Sequence, residues 1–310
     1  MSEPVFRSAV CTDRGNYRSI NEDNFSLGHM HLPPDALGGR FMQSTAPSSS
    51  VVCGVFDGIG GEMYGEVASR ISAQTLPGYE NDILKRGITG IRSFVSGANR
   101  DICKLIARSG STMGTTAVVL SASASGVTAY NIGDSRAYLW REGKLTLLSR
   151  DHTVTEAMIA WGELTPEQAR LDPRRHQLSQ CIGIPPDELE LSPFKSITFL
   201  PKAGDRYLLC SDGISDVLPD HILSRLLSLG NDPSSMAESI IQAALDYGSK
   251  DNCTALVVQA EPWDPTGSGT DRDLCEEPRR NGAKVLFLLL TLLSGFLIGL
   301  IACLLLHILT

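Results

Sequence analysis

Residues 51–58 read VVCGVFDG. An apolar run broken by one glycine ends in Asp57-Gly58, the pattern of a buried strand running into a turn. The pattern recurs. Residues 206–211, RYLLCS, end at Asp212-Gly213, and residues 253–259, CTALVVQ, follow directly on Asp251-Asn252. Residues 115–120 and 126–132 read as neighbouring strands parted by the small-residue stretch SASASG, and 136–141 and 144–148 read as a hairpin around Glu142-Gly143. Helical periodicity marks 64–75, 91–108, 153–161, 219–229 and 235–246, the last with Asp232 or Ser234 as its cap. Segment 28–50, with Pro33, Pro34, Gly38 and Gly39, reads as a loop or insertion, and 162–190 mixes short-helix with loop signals. No repeat of 20–50 residues is visible. Strands at hairpin spacing beside separate helices favour an α+β arrangement of antiparallel sheets with helices grouped outside over a βαβ array.

The chain has 310 residues, 42% apolar and 20% charged. That suits one large domain or two small ones and argues against a disordered, collagen-like or disulfide-rich chain. Thirty-five acidic against 27 basic residues leave a charge of −8, which argues against a broadly basic nucleic-acid binder. The eight cysteines (11, 53, 103, 181, 210, 253, 275 and 303) form no CxxC pair, and several sit in apolar runs. They read as buried thiols of a reducing compartment. None has an arginine six positions later, so a cysteine-nucleophile phosphatase loop of that spacing is absent.

The tail differs in kind from the rest. Residues 285–306, VLFLLLTLLSGFLIGLIACLLL, hold 22 residues without a charge, 16 of them Leu, Ile, Val or Phe. As a helix they reach about 33 Å, against a hydrocarbon core of about 30 Å. Insertion is favourable by several kcal/mol on a per-residue scale of roughly −0.3 to −0.6. Arg279, Arg280 and Lys284 precede the span, which by the positive-inside rule keeps the preceding chain cytoplasmic. The start, MSEPVFRSAV, lacks the apolar stretch of a signal peptide. Three parts are expected: a globular domain over 1–260, an acidic then basic linker over 261–284, and a transmembrane helix over 285–309 that anchors the chain in the cell's inner membrane. Gly295 and Gly299 form a G-xxx-G pair, a spacing that lets two helices approach closely and admits a weak homodimer.

Acidic residues stand where the strands stop or start. Asp57, Asp212 and Asp251 hold such places, Asp134 lies in the NIGDSR turn, and Glu22-Asp23 lie in RSINEDNF. Singly, each fits an ordinary turn or capping role. A bare carboxylate beside a buried strand is costly, however. Two carboxylates ~4 Å apart repel by roughly 4 kcal/mol at an effective dielectric of ~20, so a cluster would need a cation. All-oxygen donors favour Mg2+ or Mn2+ over zinc. Gly58 leaves its own carbonyl sterically open, as a backbone metal ligand requires.

In order, the chain carries T-D-R-G-N-Y-R-S-I-N-E-D (12–23), V-F-D-G-I-G-G (55–61), M-G-T-T (113–116), G-D-S-R (133–136), R-D-H-T (150–153), C-S-D-G (210–213) and K-D-N-C-T (250–254). A single D-G means little; seven motifs in this order and spacing, over about residues 5–260, closely resemble the metal-dependent type-2C protein phosphatase family in its bacterial branch. The resemblance implies an αββα four-layer sandwich with a two-metal site at one end. It implies that Asp57 bridges both metals, that Asp212 and Asp251 hold the first, and that the Gly58 carbonyl binds the second. Glu22 and Asp23 would serve the second metal directly or through water, and Asp134 would bind a third, weaker one. The ions would be Mn2+ or Mg2+. Arg18 would bind the substrate phosphate and, with Asp57, carry catalysis. Asn252 would orient Asp251, and 162–190 would be a mobile flap beside the site.

The implied reaction is hydrolysis of phosphoserine and phosphothreonine in proteins, by in-line attack of a water activated between two cations. Phosphorylated Ser/Thr proteins and a cognate Ser/Thr kinase would be the partners, at the cytoplasmic membrane face, with no nucleic acid. One position departs from the family. Ile59 stands where many eukaryotic members have His, which leaves the general acid unassigned. His152 reads as a structural hydrogen-bonding residue. The alternatives are a membrane-tethered pseudophosphatase acting as a phosphoprotein scaffold, and a two-metal phosphodiesterase or nuclease, which the acidic surface opposes.

Overall fold

In the computed structural model, residues 3–60 and 64–263 are described. The N-terminal half runs β1 (Phe6–Asp13), β2 (Asn24–Leu27), β3 (Arg40–Ser44), β4 (Val51–Phe56), β5 (Gly58–Gly60), α1 (Gly65–Thr75), α2 (Glu80–Arg86), α3 (Ile88–Ser109) and β6 (Met113–Thr115). Two hairpin-forming pairs follow, β7 (Ala117–Ser123) with β8 (Gly126–Ile132) and β9 (Arg136–Arg141) with β10 (Lys144–Leu147). The remainder is α4 (Val154–Ala160), α5 (Pro166–Leu171), β11 (Phe194–Lys195), β12 (Arg206–Cys210), α6 (Asp212–Ser215), α7 (Asp220–Leu229), α8 (Pro233–Asp246) and β13 (Cys253–Ala260). The span expected at 285–309 and its glycine pair lie outside the described residues. Among the described residues no helix is long and apolar enough to cross a membrane.

Two antiparallel sheets carry the fold. One has strand order β10-β9-β12-β13-β1-β3, the other β11-β8-β7-β4-β2. Alternation along each strand sends side chains to opposite faces. On β13, Leu256 and Val258 enter the core between the sheets, whereas Ala255 and Val257 face helices. On β4, Cys53 and Val55 face the other sheet while Val52 and Phe56 meet the helical layer. Both faces are buried, which is why VVCGVF is apolar throughout rather than alternating.

The helices cover the outer faces with single apolar stripes. On α3 the buried stripe is Ile91, Phe94, Val95, Ala98 and Ile102, a helical period facing the five-stranded sheet. On α8 it is Met236, Ala237, Ile240, Ile241 and Ala244, packed against β1 and β13. Each fully buried Ile or Leu contributes about 1.5–3 kcal/mol, so these stripes dominate helix stability over propensity. α8 starts where Asp232 accepts the backbone N–H groups of Ser234 and Ser235, at 2.9 and 3.1 Å. α3 ends at Gly110, in the left-handed region at φ 70°.

Two sequence readings change. Segment 28–50 contains an edge strand, β3, paired with β1 from Ala9↔Ser44 to Asp13↔Arg40. Its side chains alternate only between exposed and half-buried, so RFMQS carries no apolar signal. The strand expected at 115–120 is broken at Thr116 into β6 and β7. That break positions Asp57, as described below.

Candidate active site

Strand register gathers the acidic residues. Cys210↔Ala255 puts the end of β12 beside the start of β13, so Asp212 and Asp251 share one end of the six-stranded sheet. Arg136↔Cys210 brings the Asp134 turn to that end, and Asp13↔Cys253 brings the loop that carries Arg18, Glu22 and Asp23. In the other sheet, Asn24↔Phe56 sets Asp23 next to Asp57.

Asp57 is held through its backbone. Its N–H donates to Thr116 Oγ1 at 3.0 Å, and its carbonyl accepts the Thr115 hydroxyl at 2.8 Å and the Thr116 N–H at 2.9 Å. Thr116 Oγ1 also meets Ser135 Oγ at 2.6 Å, tying the Asp57 turn to the Asp134 turn. Three chain segments cross at Gly58. A Cβ there would stand 2.5 Å from the Glu22 carbonyl oxygen and closer still to that of Gly65. Only glycine fits.

Asp23 is buried below the pocket, and its Oδ2 accepts the hydroxyls of Ser211 and Thr254, both at 2.7 Å. Asn252 does more than the expected orienting of Asp251. Its N–H donates to Asp251 Oδ1 at 2.8 Å, while its side chain clamps the 14–22 loop. The amide Nδ2 donates to the Arg14 and Ile20 carbonyls at 2.7 and 3.0 Å, and Oδ1 accepts the Glu22 N–H at 2.8 Å. Arg18 extends from that loop. Its Nη2 lies 2.6 Å from Asp251 Oδ2 and its Nη1 3.7 Å from Glu22 Oε2.

A pocket of about 210 Å³ results, lined by Arg18, Glu22, Asp57, Gly58, Asp134, Asp212 and Asp251 among others. Every residue expected to bind metal or phosphate lines it except Asp23, which supports it from beneath. Burial first, then repulsion from Asp212 and Asp23, raises the carboxyl of Asp57 above the ordinary Asp range; burial also raises that of Asp23, against the hydrogen bonds from Thr254 and Ser211 and with repulsion from Asp251 and Asp212. Burial followed by repulsion from Asp216 and Asp251 does the same to Asp212, and Asp134 is pushed up to about 8 by burial and then by Asp212 and Asp151. Among the described residues, Arg18 is the one guanidinium that lines this pocket. The donor set is all oxygen and short of positive charge, which fits a hard divalent cation.

Two residues were less visible in the sequence. Ligand atoms of His176, Asp212 and Asp216 lie within 4.8 Å of one another. Asp216 follows Asp212 by one helical turn, its N–H donating to the Asp212 carbonyl at 2.9 Å, and that four-residue spacing in SDGISD is the signal that could have found it. His176 has no such signal; it reaches Asp216 Oδ2 at 3.3 Å only because the flap folds back. The flap neck is closed by Val154 N–H to the Gln177 carbonyl and Ser179 N–H to the His152 carbonyl, both 2.8 Å. His152 plays the structural part read from the sequence. Its Nδ1 accepts the Gly133 N–H at 3.3 Å and its N–H returns to the Gly133 carbonyl at 2.9 Å, and burial lowers the ring pKa, which favours this neutral acceptor.

Comparison with known proteins agrees with this architecture. The sequence profile described as "Protein phosphatase 2C" matches residues 35–245. The chain is similar to the serine/threonine protein phosphatase PstP of Mycobacterium tuberculosis, 30% identical over 265 residues that cover 84% of this chain and 46% of that protein. It is also similar to the serine/threonine phosphatase stp of Listeria monocytogenes, 31% identical over 262 residues, or 81% of this chain and 94% of the relative. The chain thus spans less than half the length of the mycobacterial relative and nearly all of the listerial one. Among solved structures, the catalytic domain of PstP in complex with two manganese ions matches with a TM-score of 0.64 and 28% identity, over 84% of this chain and 100% of that one.

Proposed function

The chain belongs to the protein phosphatase 2C family, and from that premise we propose that it hydrolyses phosphoserine and phosphothreonine in proteins with divalent cations. The observation that carries the reading is the pocket itself, with its acidic side chains, Gly58 and a single arginine at one end of two sheets. Asp57, Asp212 and Asp251, with Glu22, Asp23 and the Gly58 carbonyl, would hold two ions, manganese or magnesium, and Asp134 a third. Bound cations supply the Lewis acidity that makes a nucleophile of water near neutral pH.

The chain's own groups do the rest. Thr115 and Thr116 fix the Asp57 backbone, which sets where its carboxylate is presented before reaction. Arg18, carried by the loop that Asn252 clamps, presents a planar guanidinium to two oxygens of the transferred phosphoryl group. Water's oxygen bonds to phosphorus as the bond to the serine or threonine oxygen breaks. The leaving oxygen takes a proton, and alcohol and inorganic phosphate result. No cysteine takes part; Cys210, beside the site, is pushed up to about 12 by burial and stays a thiol.

The wider setting belongs to the same proposal. The domain over 1–260 would be tethered by the 261–284 linker and the 285–309 span to the cytoplasmic membrane face. There it would meet phosphoproteins and the kinase that makes them, with Gly295 and Gly299 as a weak dimer contact. The test is phosphate release from a phosphothreonine peptide by the full chain in mild detergent, with Mn2+, with Mg2+ and with chelator, beside Asp212→Asn. Cation-dependent release that the variant loses by at least about a hundredfold is expected. Release by a folded Asp212→Asn chain at the parent rate would sink the ligand assignment.

A further inference from the structure

A cleft of about 490 Å³ adjoins the acidic pocket and shares Asp134, His176 and Asp212 with it. One wall is the flap, through Ala169, Arg170 and Arg175, with Ile159 of α4 beside it; the other is the body of the domain, through Arg136, Asp151, Ser215 and Asp216. A peptide whose phosphorylated residue enters the pocket therefore has this cleft as the adjoining space for its neighbouring residues.

The charges in the cleft are mostly committed. Arg136 makes a bidentate pair with Asp151, at 2.7–3.1 Å. Glu156 faces Arg150 at 3.8 Å, and Asp216 faces His176 at 3.3 Å. Asp134 and Asp212 belong to the cation cluster. Two charges remain. Arg170 and Arg175 are exposed, and among the described residues neither lies within 4 Å of a carboxylate. The arginine between them in sequence behaves differently. Arg174 is held by Asp172 at 2.8–2.9 Å and does not line the cleft.

Arg170 is also presented on fixed backbone. Thr165 and Gln168 form a reciprocal capping box at the start of α5, Pro166 occupies its first turn, and Ala169 is buried beneath it. The flap neck is pinned by the two 2.8 Å backbone hydrogen bonds that flank Thr153 and Leu178.

Resting on the phosphatase reading above, we propose that Arg170 and Arg175 select phosphoproteins whose phosphorylated serine or threonine has an anionic flank, either acidic side chains or a second phosphate. Two uncommitted guanidiniums beside a cation-neutralised pocket favour anions over neutral or basic flanks, as a matter of complementary charge. Exposed pairs are individually weak, so two of them support a preference of about 3- to 10-fold, not an absolute filter.

The experiment uses the full chain and one phosphothreonine peptide core in four forms: neutral flanks, glutamate flanks, a second phosphothreonine, and lysine flanks. Hydrolysis of p-nitrophenyl phosphate, which has no flank, is followed on the same preparations. The expected result is a kcat/KM about 3- to 10-fold higher for the glutamate or doubly phosphorylated peptide than for the neutral one, carried by KM. The advantage shrinks as salt is raised and disappears in the Arg170→Gln/Arg175→Gln chain. The two anionic peptides show which anion is read. Equal kcat/KM for all four peptides, or a preference that survives in the double variant, overturns the inference. Should no phosphate be released even from p-nitrophenyl phosphate with either cation, the phosphatase reading fails. Equilibrium binding of the same peptides then decides: an anionic preference lost in the double variant upholds the assignment of Arg170 and Arg175, and its absence overturns it.

Discussion

Stripping divalent cations from this chain should make its fold less stable as pH rises from about 5 to about 8. Asp134 is the group whose contribution can be worked through. Burial, then repulsion from Asp212 and Asp151, moves its carboxyl from 3.8 to about 8. A carboxyl that holds its proton more tightly in the folded chain adds stability below its unfolded pKa and loses that contribution as pH climbs through the folded value. The window is therefore about pH 4 to 8. At a factor of ten for each 1.4 kcal/mol, Asp134 alone could cost about 5 kcal/mol at pH 8. Its side chain lines the open cleft beside the pocket, and screening there cuts the cost to about 2–3 kcal/mol. For a domain of this size that is roughly 5–10 °C in Tm. A cation held by Asp134 would remove the penalty by keeping the carboxylate ionised. His152 works in the other direction, its ring lowered by burial from 6.5, but it contributes equally with and without cation. The informative quantity is thus the difference in Tm between saturating Mn2+ and chelator, measured by scanning calorimetry at about pH 5 and about pH 8. It should grow with pH by the stated amount, and Asp134→Asn should flatten part of the growth. A cation effect of the same size at both pH values, or a chelated chain whose Tm rises across the interval, would refute the reasoning.

Two substitutions probe how the pocket is built. Gly58→Ala puts a methyl group against the backbone oxygens of Glu22 and Gly65, neither of which can rotate away; the expected loss is about 3 kcal/mol in a urea titration, with phosphatase activity falling alongside. Asn252→Ala removes three hydrogen bonds from the 14–22 loop, a loss of about 2–3 kcal/mol; it should raise KM for a phosphopeptide because Arg18 and Glu22 lose their support, and an unchanged KM would count against that role.

What could be read from the sequence follows from where each segment lies. VVCGVF and CTALVVQ announce themselves because both faces of those strands are buried. β1 and β2 escape a reading by hydrophobicity for the opposite reason. Their buried positions include Ser8, Thr12, Asn24 and Ser26, and polar side chains at core positions erase the apolar pattern. Thr12 Oγ1 accepts the Asn21 amide at 2.8 Å and meets the Thr254 hydroxyl at 2.7 Å, the latter 242 residues along the chain, a partner no local pattern can supply. The acidic positions were legible as strand-end residues, but their convergence came from the family resemblance. The flap's fold-back, which brings His176 to Asp216, depends on the neck hydrogen bonds and left no mark in composition.

The same electrostatics bear on whether this chain is an enzyme or a scaffold that merely binds phosphoproteins. A scaffold has no use for the cluster, and the cluster is expensive. Four aspartates, Asp23, Asp57, Asp134 and Asp212, have their carboxyls pushed above the ordinary range, in each case first by burial, with repulsion from neighbouring aspartates adding to it. Asparagine at any one of them would keep the shape and remove the ionisation penalty, a gain of about 2–3 kcal/mol at Asp134 against a whole domain's margin of about 5–15 kcal/mol. The chain instead keeps the charge and surrounds it with devices that fix its geometry: Thr115 and Thr116 on Asp57, Ser211 and Thr254 on Asp23, Asn252 on Asp251. Rigidly placed, mutually repelling carboxylates are the arrangement a site built to hold a cation between them would require. Deep-site neutral variants separate the two readings. If Asp57→Asn or Asp212→Asn raises the Tm of the chelated chain while abolishing both the Mn2+-induced rise in Tm and phosphate release, the acids are there for the cation and the reaction. If such variants bind phosphopeptide and respond to Mn2+ as the parent chain does, the acids serve neither.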